Sequence, residues 1–257
     1  MKTIWLVVPC YNEEEVLPET SRQLKAVMNS MIEKGKISPE SKITFVNDGS
    51  KDGTWDIISS LCAEDSLFAG INLSRNRGHQ NALLAGLMTA KKYADAAISL
   101  DADLQDDVDV VEKMVDNFLA GDDIVYGVRS SRKTDTFFKR FTAEGFYKFM
   151  AAMGVEIVFN HADYRLMSRR ALEALSEFEE VNLFLRGIVP QIGFKTSTVE
   201  YERKERLAGE SKYPLKKMIS FAFEGITSFS VRPLKMATTL GIFSLIVCFA
   251  MIIYCIV

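Results

Sequence analysis

Cysteine and histidine are scarce: four and two in 257 residues. Cys10 and Cys62 stand alone, Cys248 and Cys255 lie in an apolar run, and no CxxC pair occurs. That excludes a disulfide scaffold, and with only His79 and His161 available a zinc site is not expected. Reduced thiols suit a protein facing the cytosol. No GxGxxG is present, which counts against a dinucleotide-binding dehydrogenase, and no GxxxxGK[ST], which counts against a P-loop kinase or ATPase. The first apolar run, Ile4–Val8, is too short for a signal peptide and stops at Pro9. A net charge of -3 argues against nucleic acid as a partner.

The composition that is present, 48% hydrophobic and 25% charged, is that of a globular chain of one large domain or two small ones. Its charge is uneven. Arg129–Arg140 holds five basic residues against Asp135, and Tyr201–Lys217 holds six against three acids. Such islands in an acidic chain suit local anion or membrane-surface contacts, or else ordinary solvated surface. After Lys235 no charge occurs, and the 22 residues Met236–Val257 are almost continuously apolar. As a helix they would reach roughly 33 Å, enough to cross a hydrocarbon core. Arg232 and Lys235, with Lys216 and Lys217 upstream, place the preceding domain in the cytosol by the positive-inside rule.

The first half alternates β-rich runs with helical patterns. Strands are expected at Thr3–Val8, Lys42–Val46, Phe68–Leu73, Ala96–Leu100 and Asp123–Val128. Helices are expected at Glu13–Lys34, Asp52–Ala63, Gly78–Tyr93 and Val108–Leu119. Near-continuous apolar strands alternating with helices predict an α/β fold, a mostly parallel Rossmann-like sheet with helices on both faces. The second half is less regular. Phe137–Met153 carries six aromatic residues interleaved with Lys139, Arg140 and Lys148, the pattern of an interfacial amphipathic helix or of an ordinary core helix. Met218–Ser230, just before the apolar terminus, has the same aromatic character.

Four polar segments follow successive strands: Pro9-Cys-Tyr-Asn-Glu-Glu14, Val46-Asn-Asp-Gly-Ser-Lys-Asp-Gly-Thr54, Ser74-Arg-Asn-Arg-Gly-His79 and Leu100-Asp-Ala-Asp-Leu-Gln-Asp106. In parallel sheets ligands bind beyond the carboxyl ends of strands, so these loops predict one crevice for a nucleotide-type ligand. Asp101 and Asp103 are its centre. Residues i and i+2 at a strand end share a side, and two close carboxylates repel unless a cation lies between them. Oxygen ligands suit Mg²⁺ or Mn²⁺, with positions left open for substrate phosphates.

These loops resemble the family 2 glycosyltransferases of GT-A fold, and within them the polyprenyl-phosphate sugar synthases, such as dolichol-phosphate mannose synthase and the bactoprenol glucosyltransferases. The resemblance runs from Thr3 to the apolar terminus. It extends to Gly127-Val-Arg129 with Arg132, Ala162-Asp-Tyr-Arg-Leu-Met-Ser-Arg169, Asn182-Leu-Phe-Leu-Arg-Gly187 and Arg206-Leu-Ala-Gly-Glu-Ser-Lys-Tyr-Pro214. The QxxRW of processive synthases is absent, which favours transfer of one sugar. The resemblance implies that Pro9, Tyr11, Glu13 and Asp48 cradle the nucleoside. Asp101, Asp103 and Gln105 would hold the metal, with Ala102 between them against the donor. Arg129 and Arg132 would grip the lipid phosphate. Arg206 and Lys212 would close over the leaving diphosphate, and Asp163 stands where the family places a base. A phosphate monoester, with a second pKa of about 6, is largely ionised at neutral pH, so Asp163 is expected to orient substrate rather than remove a proton.

The reaction implied is inverting transfer of one hexose, glucose by the bacterial resemblance, from a UDP-linked donor to polyprenyl phosphate. It would occur at the cytoplasmic face of a bacterial inner membrane, with membrane lipid as a further partner and a homo-oligomer one open arrangement. The expected division is a catalytic domain over residues 1–215, a juxtamembrane segment over 216–235 and a transmembrane helix over 236–257. That helix would be the first of the two spans usual in the bacterial enzymes, in a truncated chain. The chain also departs from the family in having Asp107-Val-Asp109 where prolines are common. Two other readings compete: a membrane-tethered transferase with a glycan or protein acceptor, and a non-catalytic nucleotide-sugar-binding scaffold.

Overall fold

The computed structural model describes residues 1–129, 161–178, 185–202 and 232–256. By Cα packing the chain forms two compact units: Met1–Thr134 with Val158–Ser211, and Asp135–Ile157 with Lys212–Val257. The two aromatic stretches Phe137–Met153 and Met218–Ser230 lie outside the described residues.

The first unit begins with four strand–helix repeats. These are β1 (Ile4–Cys10), α1 (Leu17–Glu33), β2 (Lys42–Asn47), α2 (Thr54–Glu64), β3 (Phe68–Asn72), α3 (His79–Tyr93), β4 (Ala96–Ser99) and α4 (Val110–Leu119). Then come β5 (Ile124–Arg129), β6 (His161–Ser168), α5 (Arg169–Leu175), α6 (Leu185–Gln191) and β7 (Thr196–Tyr201). The seven strands form one sheet in the order β3-β2-β1-β4-β6-β5-β7. β6 runs antiparallel to both β4 and β5, and the remaining pairs are parallel.

The apolar strands are buried on both faces, as a sheet covered by helices requires. Ile4, Leu6 and Val8 of β1 cluster with Leu24 and Met28 of α1 and Val111 and Met114 of α4. Val7 points the other way, to α3, because alternate strand residues face opposite sides. Gly86 of α3 sits where an added Cβ would lie 2.3 Å from Val7 Cγ1 and 2.9 Å from Val46 Cγ2, so only glycine lets the helix approach this closely. Gly86→Ala is expected to cost about 1–3 kcal/mol through overpacking, read as a lower midpoint in urea unfolding. An unchanged midpoint would show that the helix can shift at no cost.

Expected and observed strands agree to within two residues, whereas α1 starts four residues later than expected, after a turn at 14–16. β6 was not legible because Asp163 and Arg165 interrupt its apolar run, although both side chains are buried. The chain order reverses between β1 and β4, which opens a crevice at their carboxyl ends. Pro9, near the end of β1, lies past the last β1–β4 pair, Val7 with Ser99, so its missing N–H removes no bond to β4.

In the second unit the described residues form α7 (Arg232–Ile256). Its segment Ala237–Ile256 is 20 residues with a mean hydropathy of 2.5, long and apolar enough to cross a membrane. Large apolar side chains such as Leu240, Phe243, Ile246 and Phe249 are exposed, unlike those of a core helix.

Candidate active site

The polar segments after β1 and β2 are laced into one wall. Asn12 N–H donates to Ser50 Oγ at 3.0 Å and Lys51 N–H to Asn12 Oδ1 at 2.9 Å. Glu13 N–H donates to Thr54 Oγ1 at 2.9 Å, and Gly53 N–H to Glu14 Oε2 at 2.6 Å. Asn12 adopts φ 53°, a left-handed conformation that asparagine tolerates and that turns the chain out of β1. Pro9 is buried in β1, while Tyr11 and Glu13 are half-buried on this wall.

Asp48 ties the second loop to the third. Its carboxylate, 2% exposed, accepts from Arg77 N–H at 2.6 Å and Gly78 N–H at 2.9 Å. Gly49, at φ 65°, allows this approach: a Cβ there would lie 2.5 Å from Asn76 N. Asp48 therefore already shapes the loop that opens α3. A carboxylate has about four acceptor sites, so contact with a base remains compatible with this role.

β4 stops at Ser99, so Asp101 and Asp103 lie on the following turn rather than on the pleat, and strand alternation does not set their direction. The Asp101 side chain is 40% exposed and Asp103 is buried. The turn is fixed from three sides. Thr20 Oγ1 of α1 donates to Ala102 O at 2.6 Å, Gln105 N–H donates to Asp103 Oδ1 at 3.1 Å, and Leu104 takes φ 55° with its side chain in the core. Protein crowded around the Asp101 carboxyl raises its pKa although the side chain keeps contact with solvent; His79 opposes that rise, and Asp106, Asp163 and Asp103 add to it. A cation beside Asp101 would relieve this repulsion, and Asp101, Asp103 and Gln105 offer the oxygen donors that Mg²⁺ or Mn²⁺ prefers. Among the described residues no group of three or more His, Cys, Asp or Glu side chains could hold a metal on its own. Two carboxylates and one amide oxygen would leave coordination positions for the oxygens of a ligand.

Asp163 reaches the same crevice from β6. Because β6 is reversed, its first residues lie at the carboxyl ends of β4 and β5. The side chain is 7% exposed and ion-paired to Arg165, itself 2% exposed, and to Arg186 at 3.0 Å. Gln80 Nε2 donates to Asp163 at 3.3 Å, and His79 Nε2 stands 3.8 Å from Asp163 and 3.6 Å from Asp101. Burial favours the neutral acid, but Arg186, Arg165 and His79 outweigh it and hold the carboxyl far below the usual carboxylate range. Two further bonds fix Leu185, the first residue of α6: Leu185 N–H donates to Gln80 Oε1, and Arg165 Nη1 to Leu185 O, each at 3.2 Å.

Arg129 closes β5 with Nη2 3.5 Å from Asp106 Oδ1 and Nε donating to Tyr201 Oη at 3.3 Å. It is 29% exposed, so the pair is not a solvated surface bridge. The other expected cations, Arg132, Arg206 and Lys212, lie outside the described residues. His79, Gln80, Arg165, Asp106 and Tyr201 carry no role in the sequence reading, nor does Arg186, although its motif Asn182–Gly187 stands out there. Their signal is weak because all but Arg165 act through partners distant in sequence, and the Arg165–Asp163 pair is set by burial on β6 that no local pattern shows.

The family described as glycosyl transferase family 2 matches residues 5–176, which span β1 to the end of α5. The chain belongs to glycosyltransferase family 2. It is 57% identical over 236 residues to an uncharacterized glycosyltransferase, YkoT, of Bacillus subtilis, covering 92% of this chain and 70% of that one. It is 42% identical over 242 residues to the bactoprenol glucosyl transferase of Shigella phage SfV, covering 93% and 76%. Among solved structures it resembles the glucosyl-3-phosphoglycerate synthase of Mycobacterium tuberculosis, crystallised with Mn²⁺, UDP and phosphoglyceric acid. There the TM-score is 0.56 at 16% identity, covering 88% and 76% of the two chains. That likeness establishes the GT-A fold of this glycosyltransferase.

Proposed function

We propose that this glycosyltransferase moves one hexose, glucose, from a UDP-linked donor to a polyprenyl phosphate, inverting the anomeric carbon. The observation that carries this reading is the state of Asp163. A buried carboxylate ion-paired with both Arg186 and Arg165 is a poor proton acceptor. An acceptor hydroxyl needs a base, whereas a phosphate monoester reaches neutral pH largely deprotonated. The likeness to the Shigella phage enzyme over nearly the whole chain supports the same acceptor class, and the exposed apolar α7 supports a membrane location for it.

In this reading Pro9, Tyr11, Glu13 and Asp48 form the nucleoside wall. Asp101, Asp103 and Gln105 would hold Mg²⁺ or Mn²⁺, which when bound would supply positive charge to the donor diphosphate. Ala102 presents its backbone beside the donor. Arg129 and Arg132 grip the acceptor phosphate, a role that the two-pronged guanidinium suits. Arg206 and Lys212 steady the departing diphosphate. An acceptor phosphate oxygen attacks the anomeric carbon from the side opposite the leaving group, the bond to the diphosphate breaks, and UDP departs with the electron pair. Asp163 orients the sugar. Residues 1–215 serve as the catalytic domain, 216–235 as a juxtamembrane segment, and 236–257 as a membrane span that keeps the domain at the cytoplasmic face.

The test is incubation with radiolabelled UDP-glucose or GDP-mannose and undecaprenyl phosphate, with and without EDTA, followed by lipid extraction. Label from UDP-glucose is expected in the organic phase, and EDTA is expected to abolish it. Label appearing only in water-soluble glycans would overturn the acceptor. Between pH 5 and 9, kcat/KM is expected to rise through an acid limb near pH 6, set by the acceptor phosphate. Asp163→Asn should lower the whole profile without removing any limb. Loss of the acid limb in Asp163→Asn would restore the base role.

A further inference from the structure

Arg129 shares its guanidinium with a second buried group. Asp106, 4% exposed at its side chain, closes the metal-loop sequence begun at Asp101. Its Oδ1 lies 3.5 Å from Arg129 Nη2 and accepts a hydrogen bond from the Tyr201 hydroxyl. The same hydroxyl accepts from Arg129 Nε at 3.3 Å. One phenol thus bridges the carboxylate and the guanidinium, donating to one and accepting from the other. Tyr201 is itself fixed: it is 4% exposed, and its ring meets Tyr164 edge-on at 5.4 Å and 78°. The Tyr164 hydroxyl donates to Asp107 O at 2.9 Å, so two tyrosines from β6 and β7 brace the end of the metal loop.

A buried carboxylate must keep partners, and losing one costs more than the bond itself. An arginine that is the main partner of such a group is not readily released to a ligand. Here the phenol carries part of that demand, and the ion pair, at 3.5 Å, is longer than a tight charge-assisted bond of 2.7–2.9 Å. We propose that Asp106 is a resident anion that holds Arg129 in place until the acceptor phosphate arrives, and that Tyr201 is the positioning residue that lets Arg129 change partners. This rests on the reading of Arg129 as an acceptor-phosphate ligand. Tyr201 touches no substrate in this scheme. It keeps Asp106 compensated while the guanidinium turns toward the phosphate, and it aims Nε during the exchange.

The experiment measures KM for undecaprenyl phosphate and for UDP-glucose separately, using the full chain in detergent micelles. Tyr201→Phe is expected to raise the acceptor KM about tenfold, the equivalent of one hydrogen bond to a charged group, with the donor KM within about twofold. Adding Asp106→Asn should bring the acceptor KM back to within about threefold of the starting value, because the competing charge is gone. A purely structural role for Tyr201 would shift both KM values and would not be rescued, and either result overturns the proposal. Asp106→Asn alone, which keeps the phenol, should lower the acceptor KM; a rise there overturns it as well, and this arm stands even if Tyr201→Phe does not fold. Arg129→Ala separates the two layers. If it raises the acceptor KM while Tyr201→Phe does not, the resident-anion scheme fails alone. If Arg129→Ala leaves the acceptor KM unchanged, the phosphate-ligand reading fails with it.

Discussion

Asp101→Asn combined with Asp103→Asn is expected to lower sugar transfer by about 10³-fold or more, equivalent to about 4 kcal/mol of transition-state stabilisation at 1.36 kcal/mol per decade. The two carboxylates are the anionic oxygen donors at the centre of the turn, and their neutral amides would hold a divalent ion far less well. Stability should move the other way. Crowding by the surrounding protein, with the charges of Asp106, Asp163 and Asp103 adding to it, disfavours the ionised form of Asp101 in the fold. Such a carboxyl weakens the folded state as pH rises past its unfolded pKa, and replacing it by an amide removes that penalty at neutral pH. The melting temperature is therefore expected to stay level or rise while activity is lost. The measurements are lipid-extractable label and a circular dichroism melt. Transfer within tenfold of the native chain would sink the metal assignment.

The second large effect is on stability. Asp163→Ala leaves Arg165, 2% exposed, as a buried guanidinium without its carboxylate. Breaking a buried pair from one side costs about 3–5 kcal/mol. For a domain of this size that is a fall in melting temperature of about 6–20 °C. Asp163→Asn should cost less, since the amide oxygen still accepts from Arg165. Adding Arg165→Met to Asp163→Ala should recover much of the loss by replacing the stranded cation with an apolar side chain. A single Asp163→Ala that melts within 2 °C of the native chain would show that water or another anion reaches Arg165. The pH dependence carries a sign. Asp163's folded pKa is lowered, so its contribution is fully present above the unfolded carboxylate value of about 4. It is lost only as pH falls through the much lower folded value.

The parallel half of the fold was legible because buried parallel strands are near-continuously apolar: Trp5–Val8 and Ala96–Ile98 are so throughout, and Ile43–Val46 departs only at Thr44. The loops were legible because each follows such a strand. What escaped were interactions made across the reversed strand. Arg165 is an odd residue to find fully buried, and nothing local predicts that it would face Asp163 two positions away and Leu185 on a separate helix. β7 alternates exposed and half-buried residues, Thr196 to Glu200, as an edge strand does, and its terminal Tyr201 reveals its purpose only once Asp106 lies beside it. Strand alternation does not govern Asp101 and Asp103 because β4 ends at Ser99, before either. Just past them Leu104 takes a left-handed conformation, uncommon for leucine, with its side chain held in the core.

Antiparallel pairing of β5 with β6 has an evolutionary corollary. Arg129, the last residue of β5, and Asp163, near the start of β6, stand on one rim of the sheet, with Val128 paired to His161. The wall proposed for the nucleoside follows β1 and β2, on the other side of β4 in the strand order. Selectivity for what receives the sugar can thus diverge among descendants of this chain while the donor half stays unaltered.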